Sequence, residues 1–329
     1  MRINNKGTKT SLSISDDGQK GYRLLIFADL PRSAAMGRLA YWQQKLSQLD
    51  CKTQQGILVI FAADNGISVE HCSMYKPMQS ALIVQEHLNE QAPTSRLLNA
   101  IQTREIIVDV GLATPVNDSR IWNRNICLGS RNFLQEDALK EGEVVRAIQT
   151  GEKLWYELSC FDFDIIAVGE IGISNTISAA AIASVLCGLH PNNLTGKGSG
   201  DSKVIAKKVD IICRAIGLRK PDAANVVDIL MKFGGLEIAA LTGFISQAKV
   251  KNTMIMLDGY VTSVAALLAS IHEPDVVEYL LAPSLSDETG HQFVLDKLGL
   301  DYLFDMDINY GEGLAAVLGL YLARIITKL

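Results

Sequence analysis

The stretch Val168-Gly-Glu-Ile-Gly-Ile-Ser-Asn-Thr176 decides how the chain is read. Before it, Phe163-Asp-Ile-Ile-Ala-Val168 is a short apolar, β-branched run of the kind that forms a buried parallel strand. After it, Ile177 to Leu186 is rich in alanine and free of Gly and Pro, which predicts a helix. The order is strand, glycine turn, helix. Gly169 and Gly172 leave room for a ligand to approach the backbone, and Asn175 or Thr176 can cap the helix. Free N–H groups and the helix dipole then favour an anion at that end, with phosphate the natural guest.

The same turn serves packing alone in many α/β proteins, so the second cluster, Gly196-Lys-Gly-Ser-Gly200, shifts the balance. It adds Lys197, Ser199 and, just beyond, Lys203 to another flexible stretch of backbone. Two such turns suggest a phosphorylated ligand. The pattern is not a dinucleotide fingerprint, because no Gly-x-Gly-x-x-Gly opens the helix. Nor is it a Walker loop, because Lys197 is not followed by Ser or Thr in the required Gly-Lys-Ser/Thr order.

Outward from this centre, Gly56 to Ala63 is a strong buried strand that ends in Asp64-Asn-Gly66, and Arg104 to Gly111 is a second. Asp64 lies where open α/β sheets hold their ligands, although Asp-Asn-Gly is also a common turn. Helices are predicted over 34–49, where the pattern is amphipathic, 79–89, 136–150, which is charged and solvated, 203–216 and 261–270, with strands at 253–260 and 279–282. Ile121 to Gly129 allows a further short strand. Glu237 sits in an apolar helical run and needs a partner there, and His291 ends a polar loop in which it can cap or bond a neighbour. Glu312 stands between two glycines ahead of a helix reaching Ile326, which leaves it accessible. Alternating strands and helices with glycine at strand ends define an α/β fold with a parallel sheet covered on both faces, Rossmann-like in layout.

At 329 residues, 48% hydrophobic and 20% charged, the chain is long enough for a large core. A formal net charge of −5 with no basic run argues against a nucleic-acid surface. The six cysteines show no paired spacing, as expected of reduced thiols in a cytoplasm, and zinc is not expected. Residues 1–20 read as a loose polar leader, with no signal-peptide core and no membrane-spanning apolar run along the chain.

The order Asp64-Asn-Gly, Val108-Asp-Val-Gly111, Gly169-Glu-Ile-Gly-Ile-Ser-Asn-Thr176, Gly196-Lys-Gly-Ser-Gly200, Gly234-Gly-Leu-Glu-Ile-Ala239, Leu257-Asp-Gly259, Ser286-Asp-Glu-Thr-Gly-His291 and Gly311-Glu-Gly313 resembles the nicotinate-nucleotide:dimethylbenzimidazole phosphoribosyltransferase family. The likeness runs from about Ser33 to Ala316. It implies transfer of the phosphoribosyl group of nicotinate mononucleotide to the lower-ligand base of a cobamide, with no metal and no cofactor. By this resemblance Glu312 is the general base. Glu170, Gly172, Ser174, Asn175, Thr176, Lys197, Gly198, Ser199 and Ser286 would hold the nucleotide, and Ser73, Tyr75 and Leu314 would line the acceptor pocket. The resemblance also implies a large α/β domain over 51–300, a small helical domain from 21–50 and 301–329, and a homodimer.

Several positions depart from the family pattern. Asp-His-Gly is here Asp64-Asn65-Gly66, Gly-Glu-Gly-Thr-Gly is Gly311-Glu-Gly-Leu-Ala315, and the usual Arg two residues before that motif is Asn309. A glutamine usual in the acceptor pocket falls near Ala81 or Leu82. The carboxylate is kept while the acceptor pocket is rewritten. Some relatives activate phenol or p-cresol as pairs of unlike subunits, so the alternative reading is a weakly active or non-catalytic paralogue serving as partner in a heterodimer.

Overall fold

Along Gly56–Ala63 alternate side chains enter two different cores. Ile57, Val59 and Phe61 pack on one side and Leu58, Ile60 and Ala62 on the other, the period-2 consequence of a strand buried on both faces. A computed structural model describes residues 36–48, 56–161 and 163–329. The loose leader expected over residues 1–20, and most of the segment 21–50, lie outside these residues.

Seven parallel strands form the sheet: β1 (Gly56–Ala63), β2 (Arg104–Gly111), β3 (Ile121–Asn123), β4 (Ile165–Ile171), β5 (Met254–Met256), β6 (Leu280–Leu285) and β7 (Tyr302–Asp305). Their order is β3-β2-β1-β4-β5-β6-β7, so the winding direction reverses between β1 and β4. Crossover helices fall on both faces, and the expected doubly covered α/β sheet is what the chain forms.

One face carries α4 (Glu141–Leu158), α5 (Asn175–Cys187), α6 (Val204–Arg219), α7 (Val226–Phe233), α8 (Leu236–Ser246), α9 (Tyr260–His272) and α10 (His291–Leu298). The other carries α1 (Arg38–Gln48), α2 (Ser80–Leu88), α3 (Pro93–Ala100) and α11 (Leu314–Ile326). Trp42 and Leu46 of α1 share that core with Val317, Leu320 and Ala323 of α11, bringing helices from the two ends of the chain together beneath β1, β4 and β5. Among the described residues no helix is long and apolar enough to cross a membrane.

Several elements differ from the sequence expectation; the strand read over 253–260 is only Met254–Met256, because the Asp258 and Gly259 amides turn to Thr262 Oγ1 at the start of α9. The helix predicted over 136–150 runs instead over Glu141–Leu158, because Glu143 bonds back to the Lys140 amide and fixes the start, while Leu154, Trp155 and Leu158 extend the buried face. Strand β4 continues through Gly169 and Glu170, whose neighbours Ile60 and Phe61 keep them in register, so the turn begins only at Gly172. Helices α3, α7 and α10 are eight residues each, too short for their periodicity to stand out in the sequence.

Candidate active site

The winding reversal opens a crevice at the C-terminal edge of the sheet, where loops following β1, β4, β5, β6 and β7 converge. The cleft there encloses about 930 Å³, open solvent at its mouth included. Its floor is the turn after β4. Ser174 takes a left-handed backbone (φ 70°) to enter α5 and makes no side-chain cap bond, and its buried Oγ has no hydrogen-bond partner among the described residues. Neither Asn175 nor Thr176 caps the helix as the sequence suggested. Asn175 Nδ2 instead donates to Glu170 Oε2, and the Asn175 and Ile177 amides at the start of α5 donate to the carbonyls of Gly172 (3.1 Å) and Ser174 (3.0 Å).

Against that helix end lies the Gly196–Gly200 loop. Gly198 N donates to Glu288 Oε1 at 2.7 Å, and Asn309 Nδ2 donates to the Gly198 carbonyl at 3.1 Å. Lys208, reaching in from α6, is 2% exposed and donates to the Lys197 carbonyl at 2.7 Å. Burial pulls its ammonium below the usual lysine range, an effect opposed by the Glu288 carboxylate. Lys197 does not line the cleft. Its Nζ forms an exposed ion pair with Asp287 at 2.6 Å, and the lysine that lines the cleft is Lys208.

Carboxylates form the opposite wall. Asp258, at the end of β5, accepts from Gly313 N (3.1 Å), Ala315 N (2.8 Å) and Ala316 N (3.2 Å), satisfying the first turn of α11. Burial raises its pKa to about 6 despite those bonds. Glu170 is driven well above the usual carboxylate range, first by burial and then by the charges of Asp258, Glu237 and Glu312. Glu312 itself has a left-handed backbone (φ 56°) between two glycines of positive φ and is 8% exposed. A non-glycine residue held there stores local strain, and its side chain lines the cleft. Tyr310 Oη donates to Glu312 Oε2 at 2.7 Å, and His87 Nε2 lies 3.0 Å from the same oxygen.

Of the residues singled out from the sequence, Glu170, Gly172, Ser174, Asn175, Thr176, Gly198, Ser199, Ser286, Ser73, Tyr75 and Glu312 all line this one cleft. Ser73 Oγ meets Ser199 Oγ at 2.8 Å, tying the loop after β1 to the Gly196–Gly200 loop. Leu314 does not line it, since the turn into α11 presents Ala315 instead. Asp64 is scaffold: its oxygens accept from Ser80 N (3.0 Å) and Ala113 N (2.9 Å), joining the ends of β1 and β2 to α2. Glu237 is partnered at Oε1 by Asn65 Nδ2 at 2.8 Å, while its buried Oε2 has no partner among the described residues. His291 Nδ1 accepts from Ser286 N at 2.9 Å, which leaves Nε2–H to bond Ser263 Oγ, and burial lowers its pKa to about 3, so the ring is neutral and steadies Ser286.

Sequence reasoning missed Lys208, Glu288, Tyr310 and His87. A signal existed for two of them. Lys208 falls on the apolar stripe Val204, Lys208, Ile211, Ile212, Ala215, and His87 on Ser80, Ile83, Val84, His87. A polar group at such a position must be satisfied by something across the interface.

A doubly wound sheet whose C-terminal edge sets a backbone cradle and a buried lysine opposite a carboxylate cluster defines an α/β enzyme built for a phosphorylated small molecule. Comparison with known proteins gives the family. Residues 32–329 match a family model described as Phosphoribosyltransferase. The chain is 31% identical over 301 residues to the nicotinate-nucleotide–dimethylbenzimidazole phosphoribosyltransferase of Roseiflexus castenholzii, covering 90% of this chain and 85% of that one. To the protein of the same name from Desulforudis audaxviator it is 36% identical over 282 residues, 85% of this chain and 78% of the other. The crystal structure of CobT from Thermus thermophilus superposes with a TM-score of 0.85 at 29% identity, covering 92% of this chain and 91% of that one. The chain belongs to the nicotinate-nucleotide–dimethylbenzimidazole phosphoribosyltransferase family.

Proposed function

We propose that this chain transfers the phosphoribosyl group of nicotinate mononucleotide to an aromatic acceptor, releasing nicotinate, with Glu312 as the general base. The observation that carries the reading is the two-ended cleft. At one end, the Gly196–Gly200 loop, the N-terminus of α5, the unpartnered Ser174 Oγ and Lys208 suit a phosphate. At the other, Glu170, Asp258 and Glu312 suit the positive charge of a pyridinium donor and the proton of an acceptor.

The chemistry follows from that arrangement. The pyridinium nitrogen already carries positive charge, so the bond to the anomeric carbon breaks with its electron pair leaving as neutral pyridine nitrogen. The acceptor's lone pair forms the new bond to the same carbon while its N–H or O–H proton passes to Glu312, which raises its nucleophilicity as it attacks. Holding donor and acceptor in line contributes several of the ~7–11 kcal/mol available from orientation. Ser73 and Tyr75, with Ile83 and Ile173, line the cleft on the side of α2 and form the proposed acceptor wall. Glu312 is present, partnered and directed into the cleft, so no observation favours the non-catalytic partner-subunit reading.

The test is a transfer assay: purified chain with nicotinate mononucleotide and, separately, dimethylbenzimidazole, adenine, phenol and p-cresol, following nicotinate and the new nucleotide by chromatography. Turnover with at least one acceptor is expected. Binding of the mononucleotide with no release on any acceptor would defeat the proposal in favour of a partner subunit.

A further inference from the structure

His87 is the one buried histidine held by carboxylates at both ring nitrogens among the described residues. Nδ1 lies 2.9 Å from Glu105 Oε2, near the start of β2, and Nε2 lies 3.0 Å from Glu312 Oε2. The ring side chain is fully buried, whereas Glu105 keeps a partial opening to solvent. Burial by itself would weaken the ring's hold on its proton. The hydrogen bonds to Glu105 and Glu312 and their charges outweigh it, and the pKa is raised to about 9. At neutral pH both ring nitrogens therefore donate.

Glu312 needs such support. Gly311, Glu312 and Gly313 all have positive φ; the carbonyls of the two glycines accept from Leu314 N and Val317 N and the Gly313 amide is held by Asp258, whereas no backbone hydrogen bond holds Glu312 itself among the described residues. Its carboxylate also faces Glu170 and Asp258, whose own pKa values its charge raises. Tyr310 and His87 both engage Oε2, and Oε1 has no hydrogen-bond partner among the described residues.

We propose that His87, braced by Glu105, is a positioning residue for the transfer: it clamps Glu312 through Oε2 and so leaves Oε1 as the oxygen that receives the acceptor's proton. The proposal rests on the reading of Glu312 as base. The proton moves from acceptor to Oε1 as the acceptor's lone pair bonds the anomeric carbon, and the imidazolium keeps its own protons throughout. The groups surrounding His87 are Glu105 on β2, and Glu312 and Tyr310 ahead of α11. Beyond them, Arg120 bears on Glu105, and Tyr75 and Glu86 bear on Tyr310.

Two variants test the clamp. His87→Gln places an N–H donor towards Glu312 without a titrating ring, and His87→Leu keeps much of the volume without a donor. With saturating acceptor, His87→Leu is expected to lower kcat by about 10–10²-fold, with KM for nicotinate mononucleotide within about twofold, and His87→Gln to recover most of the loss. The kcat of the unmodified chain should fall as pH rises through about 9, where the ring loses its proton, and His87→Gln should lack that limb. Unchanged kcat in His87→Leu, equal losses in both variants, or a limb that persists in His87→Gln would each overturn the clamp. If His87→Leu fails to bind the mononucleotide in a calorimetric titration, and so is misfolded, the pH profile of His87→Gln decides alone. Glu312→Gln separates the two claims: full activity there defeats the base itself, whereas loss there with full activity in His87→Leu defeats only the clamp.

Discussion

Gly169 lies in the middle of the sheet, paired with Ile60, and sits against the Gly311–Gly313 loop that carries Glu312. A Cβ at this position would stand 2.8 Å from Gly313 N, 2.9 Å from Gly313 Cα and 3.1 Å from the Glu312 carbonyl carbon. Carbon contacts settle near ~3.5 Å, so Gly169→Ala requires about 0.6 Å of added separation. The strand cannot readily supply it, because β1 pairs β4 along its whole length, Gly169 included, and β5 pairs it over Ile165–Ala167 just before. The Gly311–Gly313 loop must move, and Glu312 with it. A catalytic group has to be held to roughly 0.5 Å, and about 1 Å of misplacement can cost on the order of 10²-fold in rate. We expect Gly169→Ala to lower kcat by about 10–10²-fold while stability falls by about 1–3 kcal/mol, the usual cost of overpacking. The assay is steady-state release of nicotinate, paired with urea unfolding. Gly217→Ala is the control: it lies in α6 with nothing within 4 Å of its added Cβ, and should leave kcat unchanged and stability equal or higher by under ~1 kcal/mol. A Gly169→Ala protein with unaltered kcat would refute the claim that the position of Glu312 is set from this strand.

Other perturbations separate scaffold from site. Lys208→Met should raise the Kd for nicotinate mononucleotide by about 10-fold or more, measured by calorimetry, and leave affinity for free nicotinate nearly unchanged. Lys197→Ala, which removes only an exposed pair with Asp287, should change either affinity by less than about twofold. Burial raises Glu237 to about 7, so its folded-state pKa exceeds the unfolded 4.5. The stability it contributes is then complete below that lower value and lost as pH rises through the higher one. Glu237→Gln removes this slope and presents an amide to Asn65. It should match the unmodified chain in urea unfolding at acid pH and exceed it by up to about 3 kcal/mol at pH 8.

The fold was legible because its signals are local. Each long strand is an apolar run ended by glycine or aspartate, and Gly56–Ala63 and Arg104–Gly111 appear over the ranges read from sequence. The cleft was legible where chemistry sits on backbone turns, as at Gly172–Thr176 and Gly198–Ser199. It was not legible where a side chain arrives from a distant element. Lys197 and Lys208 are both lysines near a glycine loop, and only the approach of α6 decides that the second reaches the cleft. Leu314 and Ala315 differ by one helical step, about 100° of rotation, which the left-handed entry at Gly313 sets. His87 and Glu312 lie 225 residues apart, and nothing in either neighbourhood announces the other.

Glu312→Gln keeps the shape of the side chain and removes only its basicity, so it isolates the step in which one oxygen of Glu312 takes the acceptor's proton. Single-turnover release of nicotinate should fall by roughly 10²–10⁴-fold with the Kd for nicotinate mononucleotide within about twofold of the unmodified chain. A variant that binds the mononucleotide normally and turns over at an undiminished rate would contradict the account and move the base elsewhere in the cleft.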